Sequence, residues 1–307
     1  MSAKSVILFG ASGTIGQSVA RELVERGYET TCVIRAGGRD VFPGARVERM
    51  RDLDSNSVRG LFLGKNYDAV ISCIASRTGV HEDAWKVDAI FNQNIIAAAQ
   101  TAGVRHAVLL SAICVQKPKL AFQTAKLAAE ATFRESGLTW TIIRPTAFFK
   151  SLSGQAQRVK RGKPFLLFGD GELTRCKPIS DGDLARFIVS ALSDPAKHNC
   201  VLPIGGPGPA ISPKAQGELL FELLGKEPRF RHVPVKWMDR AIAALDLLGK
   251  LSKHAAAKAE YARIGRYYAT ESMLVWDKER EVYDADATPE FGEDTLRDHY
   301  AKLLRAQ

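Results

Sequence analysis

The sequence predicts an α/β chain built on a doubly wound parallel sheet, followed by a smaller C-terminal substrate lobe. Three observations carry this expectation. Short β-branched runs alternate with helical periods through the first half, the pattern of parallel strands joined by crossover helices. A glycine-rich turn, Gly10-Ala-Ser-Gly13-Thr-Ile-Gly16, stands between the first strand run and the first helical period. After Pro145 the alternation loosens, and Gly, Lys and Pro accumulate through 153–178.

Taken in order, 6–9 reads as a buried strand and 15–26 as a helix with Val19 and Leu23 on one face. Strands are expected at 29–35 and 47–50, a short helix at 54–63 and a strand at 69–74. A helix at 85–102, a strand at 107–111, a helix at 123–136 and a strand at 139–144 complete the alternating half. A helix at 181–193 and a strand at 200–204 return to the sheet. The Gly- and Pro-rich stretch 205–213 reads as a hinge, with helices at 213–224 and 235–251 beyond it. The expected division is a cofactor domain at 1–205, with a substrate-lobe insertion near 150–179, and a C-terminal lobe at 206–307.

Composition narrows the function classes. The chain has 307 residues, 46% hydrophobic and 25% charged, an ordinary globular balance. No run reaches the roughly 18–20 apolar residues that span a bilayer. The net charge of +9 suits either a solvated basic surface or an anionic ligand. Zinc-finger spacing and RNP motifs are absent from the sequence, so nucleic acid is not an expected partner. Cys32, Cys73, Cys114, Cys176 and Cys200 are scattered, which disfavours a metal site or a disulfide framework. The opening MSAKSVILFGASG enters a strand at once, without signal- or transit-peptide layout, so a cytoplasmic location is expected.

The glycine turn points to a dinucleotide. Gly10 permits a tight turn, Gly13 lets backbone approach a pyrophosphate, and Gly16 allows close helix–sheet packing. Ser12, Thr14 and Ile15 complete the loop and the first helical turn, whose dipole favours phosphate. This is the Rossmann-like arrangement, in its required strand–turn–helix context. An NAD site places a carboxylate at the tip of the second strand, but this chain has Arg35 there. A guanidinium fork suits a 2′-phosphate, so the expected cofactor is NADPH, with Arg39 as the alternative cation.

The GxxGxxG spacing resembles the extended and atypical short-chain dehydrogenases. That resemblance implies that Asp52 and Leu53 meet the adenine, and that Ile74, Ala75 and Ser76 lie under the cofactor. It also implies catalytic positions at Ser111 and Lys126, and places Pro145 beside the nicotinamide. The usual Tyr-x-x-x-Lys pair departs from pattern here, reading Phe122-Gln-Thr-Ala-Lys126. Phenylalanine cannot protonate an alkoxide, so ordinary carbonyl reduction is disfavoured. Reduction of a conjugated C=C bond needs no such acid, because charge spreads into the conjugated system and the proton can come from water or an ammonium.

Longer strings narrow the resemblance. Leu110-Ser-Ala-Ile-Cys-Val-Gln-Lys-Pro118, Arg144 to Gly154, Phe168 to Thr174, Cys176 to Ser180 and Tyr267 to Met273 resemble the divinyl (proto)chlorophyllide 8-vinyl reductases. The resemblance implies NADPH-dependent reduction of the C8 vinyl group of a magnesium tetrapyrrole to ethyl. That family includes plastid enzymes, but the lack of a transit-peptide layout leads to the expectation of a photosynthetic bacterium, and the basic helix at 235–251 adds an expectation of peripheral contact with a photosynthetic membrane. A flat apolar macrocycle needs aromatic walls and a cation for its propionate. Phe122, Phe148, Phe149, Phe165, Phe168, Trp237, Tyr267 and Tyr268 are the candidate walls, and Lys150, Arg158 and Lys177 the candidate cations, with Lys150 and Lys177 favoured because they lie in family-like strings. The missing tyrosine keeps two other readings open. One is a non-catalytic NADPH-binding sensor or assembly factor, and the other is an atypical reductase of a quinone, an alkene or a sugar nucleotide.

Overall fold

The structure, a computed structural model, describes residues 4–38, 42–250 and 252–305. The chain divides into two units, 1–145 with 181–203, and 146–180 with 204–307. It opens with β1 (Ser5–Phe9), α1 (Thr14–Glu25), β2 (Glu29–Arg35) and β3 (Arg46–Met50). There follow α2 (Ser55–Phe62), β4 (Ala69–Ser72), α3 (His81–Ala84), a π-helical turn (Trp85–Ile90) and α4 (Phe91–Thr101). Next come β5 (His106–Leu110), α5 (Ala121–Arg134) and β6 (Thr139–Pro145). The second unit begins with α6 (Phe149–Leu152), α7 (Ala156–Lys160) and β7 (Phe165–Phe168). The chain then returns to the first unit for α8 (Asp181–Ser190) and β8 (Cys200–Ile204). The remainder is α9 (Pro213–Leu223), β9 (Phe230–Val233), α10 (Val235–Gly249), α11 (Lys253–Thr270), β10 (Val275–Asp277), β11 (Val282–Asp284) and α12 (Leu296–Arg305).

The first unit is a seven-stranded sheet ordered β3-β2-β1-β4-β5-β6-β8. Its pairings from β3 through to β6 are parallel, the expected doubly wound arrangement. β4 and β5 are buried along their whole length, and β1 from its second residue on, as central strands covered on both faces must be. Phe9 anchors one side of the core. It stacks on Phe62 at 6.2 Å and meets Phe91 edge-on at 6.1 Å. Each such buried ring contributes about 1.5–3 kcal/mol. Helix α1 buries Ile15, Val19 and Leu23 and packs against α8. Asp54 caps α2, accepting from Ser57 N at 2.8 Å.

Two elements depart from the sequence expectation. The helix expected at 85–102 begins earlier, as α3, and passes through the π turn before α4. The strand expected to reach residue 74 stops pairing after Ser72, where the chain turns beneath Gly10.

At the start of β5, His106 is buried against His198, with ring centroids 4.6 Å apart. Burial, then the His198 and Lys4 charges, holds its pKa down from 6.5 to about 4. The folded state therefore keeps His106 neutral where the unfolded chain protonates it. Its contribution is full above pH 6.5 and is lost as pH falls toward 4. Between pH 7 and pH 5 the expected loss is about 2 kcal/mol. Urea unfolding of wild type and His106→Gln at both pH values should show the smaller loss in the variant. An equal loss in both would remove this role.

The second unit has its own core of Phe149, Ala156, Val159, Phe165, Leu167, Leu220, Phe221 and Tyr300. Strands β7 and β9 pair in parallel, and β10 and β11 form an antiparallel pair. Tyr300 is fully buried, and its hydroxyl donates to the Leu152 carbonyl at 3.0 Å. Helices α10 and α11 pack as a pair, tied by Asp239–Arg266 and Asp246–Arg263 ion pairs. Leu251, the expected end of α10, lies outside the described residues.

Candidate active site

The glycine turn is built by close approach. Gly10 has φ +79°, and its carbonyl accepts from Gly13 N at 3.0 Å. A Cβ on Gly10 would stand 2.7 Å from the Cys73 carbonyl oxygen, and one on Gly16 only 2.1 Å from that of Gly10. A Cβ on Gly13 would meet Gly10 O at 3.2 Å. Gly13 is also the N-cap of α1 and brings no side-chain acceptor to the first-turn amides. That arrangement receives phosphate.

A cavity of ≈ 420 Å³ opens beside this turn, lined by Gly10, Ser12, Gly13, Arg35, Leu53, Ile74, Ala75 and Phe91 among others. It has the size and the mixed lining of a dinucleotide site. The expected residues Thr14, Ile15 and Gly16 form the start of α1, where Ile15 and Gly16 are buried as packing. Asp52 is exposed and not part of the cavity wall, whereas Leu53 lines it. Leu53 is held by Asn94, whose amide donates to its carbonyl at 3.3 Å. Arg39 lies outside the described residues.

Arg35 is exposed at the mouth, and Arg77 and Asp83 line the same cavity. Sequence reading found no carboxylate at the β2 tip, but α3 brings one. Burial raises the Asp83 pKa, yet hydrogen bonds from Thr78 and the Arg77 amide, with the Arg35 charge, hold it below the usual carboxylate range. One Asp83 oxygen is engaged by the Thr78 hydroxyl at 2.6 Å. Arg35→Asp is expected to weaken NADPH at least about tenfold and to abolish its preference over NADH. Parallel titrations with both cofactors check this, and an unchanged preference would move the phosphate contact to Arg77.

At the carboxyl ends of β4 and β5, two buried ion pairs organise α5. Lys126 Nζ donates to Asp88 Oδ1 at 2.8 Å, and Asp88 is only 1% exposed. Asp88 Oδ2 also accepts from Ser76 N at 3.2 Å. Ser76 is thereby placed, though it is not part of the cavity wall. The π turn carries Asp88 into this position, and Asn92 steadies the turn by donating to the Asp88 carbonyl at 2.8 Å. Gln123 pins the start of α5, accepting from Leu120 N at 2.9 Å and Lys119 N at 2.6 Å.

The second pair is Glu130 with Arg144, joined at 2.9 and 2.5 Å, the carboxylate fully buried. The Ser111 hydroxyl donates to the same carboxylate at 2.6 Å. Ser111 and Lys126 line one crevice with Ile74, Asp88 and Asn92. The structure thus brings the two expected catalytic residues together. The Ser111 hydroxyl faces Glu130 rather than the Lys126 ammonium. Asp88 and Glu130 were not singled out from the sequence. Glu130 lies one helical turn beyond Lys126, a spacing that could have drawn attention to it.

Pro145 is buried at the end of β6, next to Arg144. Phe122 is buried on α5. In the second unit, Phe149 belongs to the core, 5.3 Å from the His299 ring. It is not a substrate wall. Phe148 is partly buried and bridges to Ile179, and Lys150 is exposed. Lys177 is corrected as well. It is buried, and its ammonium donates to Glu290 Oε1 at 2.5 Å and to the Thr288 carbonyl at 3.3 Å. A matched ammonium holding a loop is a structural group rather than a propionate anchor.

A glycine cradle under a helix start, at the end of the first strand of a parallel sheet, is the site of a Rossmann-type dinucleotide-binding protein. Residues 10–195 match the NAD(P)H-binding family. The chain is 48% identical over 98% of its length to the chloroplastic divinyl chlorophyllide a 8-vinyl-reductase of Cucumis sativus, covering 76% of that protein. It is 45% identical, again over 98%, to the enzyme of the same name from Arabidopsis thaliana, covering 77% of it. An NADPH-dependent quinone oxidoreductase from Escherichia coli, solved with NADPH, shares the fold at a TM-score of 0.67 and 16% identity, over 98% of this chain and 100% of that one. The chain belongs to the divinyl chlorophyllide a 8-vinyl-reductase family.

Proposed function

We propose that the chain reduces the C8 vinyl group of a divinyl chlorophyllide or protochlorophyllide to ethyl, using NADPH. One observation carries this reading beyond family membership. Lys126 is kept and held by Asp88, while the proton-donating phenol one turn before it is replaced by buried Phe122. A site that keeps the cofactor-side cation and discards the acid suits a C=C acceptor. When bound, NADPH supplies the hydride that one vinyl carbon accepts. The Gly10–Gly16 backbone holds the diphosphate, and Arg35 meets the 2′-phosphate. The Lys126 ammonium holds the ribose hydroxyls and stabilises the negative charge that spreads into the ring. The second vinyl carbon takes its proton from water or an ammonium, and ethyl results. Phe148 serves as wall and Lys150 as the propionate cation.

Anaerobic incubation with NADPH and divinyl chlorophyllide a tests this. Loss of one conjugated vinyl group should shift the Soret band to the blue. Tight NADPH binding without any shift would replace the enzyme with a cofactor-binding sensor or assembly factor.

Peripheral contact with an anionic membrane belongs to the same reading. Among the described residues no helix is long and apolar enough to cross a bilayer. Helix α10 exposes Trp237, Leu247 and Leu248 with Lys236, Arg240 and Lys250. Its two acids, Asp239 and Asp246, are both taken by arginines of α11. The outer face therefore carries cations and apolar groups together, the combination that favours acidic lipid. Co-sedimentation with vesicles containing an acidic phospholipid should fall on Trp237→Ser. Equal sedimentation of both proteins would remove the contact.

A further inference from the structure

The second unit contains a cavity that draws together three of the candidate wall aromatics, Phe165, Phe168 and Tyr268. Its volume is ≈ 260 Å³. Its walls come from three of the strings that carry the family resemblance, far apart in sequence. Ser151, Leu152 and Gly154 come from the first, Phe168, Gly171, Leu173 and Thr174 from the second, and Tyr268 and Ala269 from the third. Backbone bridges tie the first and third of these strings to a fourth, Cys176 to Ser180: Phe148 pairs with Ile179 and Met273 with Cys176.

Two features describe the ligand. The first is charge: no lining side chain is ionised, and Leu152, Phe165, Phe168, Leu173 and Tyr268 supply apolar and aromatic surface. A carboxylate has no partner there and would lose its hydration for nothing. The second is unmet hydrogen bonding. Gln216 is 6% exposed and Thr174 is 7% exposed, and both line the cavity. No protein group among the described residues bonds either side chain, and neither is among the polar side chains sealed from solvent, so both keep hydrogen-bonding capacity open at the cavity wall. Gln155 differs, because its amide is already used on both sides, donating to Leu166 O at 2.9 Å and accepting from Leu166 N at 2.7 Å. The Gln216 amide and the Thr174 hydroxyl are thus donors at the wall of an apolar, uncharged slot.

We propose that this cavity binds the uncharged, ketone-bearing edge of a planar conjugated ring, with Gln216 and Thr174 donating to the carbonyl oxygen and Phe168 and Tyr268 covering the ring. The assignment rests on the function proposed above and names which edge of the pigment the second unit takes. At ≈ 260 Å³ the cavity admits an edge and not a whole macrocycle. Lys150, which precedes the wall residue Ser151, lies outside the uncharged lining, consistent with the propionate being held elsewhere.

The test is equilibrium binding of divinyl chlorophyllide a, read by quenching of its fluorescence, without NADPH. Two pigments are compared: the parent, and a derivative whose ring ketone is reduced to methylene. Wild type should bind the parent about tenfold more tightly than the derivative, the worth of one good hydrogen bond. Gln216→Leu, left with the Thr174 hydroxyl alone, should discriminate by only about threefold. Leu173→Trp, at the half-exposed rim, should weaken both pigments by blocking the slot, with NADPH affinity unchanged in either variant. If Gln216→Leu still discriminates tenfold and Leu173→Trp binds as wild type does, the cavity is not the site. If the variants behave as expected but wild type never reduces the pigment, the proposed reaction fails while the cavity stands. If wild type reduces the pigment and neither variant changes binding, the cavity fails while the reaction stands.

Discussion

Gly16→Ala is expected to weaken NADPH binding by more than about a hundredfold and to cost about 2–3 kcal/mol of stability. Its Cβ would stand 2.1 Å from the Gly10 carbonyl oxygen and 2.9 Å from the Ala11 Cα, both backbone atoms that cannot rotate away. Helix α1 must therefore move off the turn that it completes, and it carries the phosphate-binding amides with it. Gly13→Ala supplies the contrast. Its Cβ meets only the Gly10 oxygen, at 3.2 Å, so the fold should absorb it while the approach of a diphosphate is blocked. Cofactor titration and thermal unfolding of the two variants should separate these effects. Equal stability loss in both would mean that the helix contact is not what Gly16 protects.

Arg144→Ala is expected to cost about 3–5 kcal/mol, because it strands a buried carboxylate. Glu130 is fully buried, and without the guanidinium only the Ser111 hydroxyl remains to it. The double variant Glu130→Leu with Arg144→Leu should recover most of that loss, since an apolar pair of similar volume avoids both desolvation penalties. Urea unfolding followed by circular dichroism checks the pair of results. A single variant as stable as wild type would mean that water reaches Glu130.

The parts of this molecule legible in the sequence are those where backbone geometry dictates residue type. Gly10 and Gly16 could be assigned tasks because a Cβ on either would clash with backbone, and Gly13 because a side chain there would stand in the approach of a diphosphate. The continuously buried strands could be read because β-branched runs of that length have few other uses. Asp88 could not. Ordinary helical periodicity through 85–102 leaves it one polar residue among several, and only the π turn swings it toward Lys126. Strands β7 and β9 are four residues each, too short for a period to show. Helix α11 turns small residues such as Ala259 inward, so it lacks the large apolar stripe that marks an amphipathic helix. Lys177 and Phe149 stand in strings shared with the family, but membership in a shared string does not separate a ligand contact from a packing contact. Burial and the Glu290 partner made that distinction.

Tyr300 sits late in the chain, yet it fills the centre of the second unit and grips the carbonyl of Leu152, a residue of the cavity wall. During synthesis, residues 146–180 emerge long before it. Until α12 arrives, that early stretch has apolar side chains and no finished interior to cover them. Domains made early usually close early, but this one must wait for its last helix. Nascent chains stalled before residue 296 should therefore expose greasy surface to chaperones, and the cavity beside Leu152 should form only when translation is nearly over.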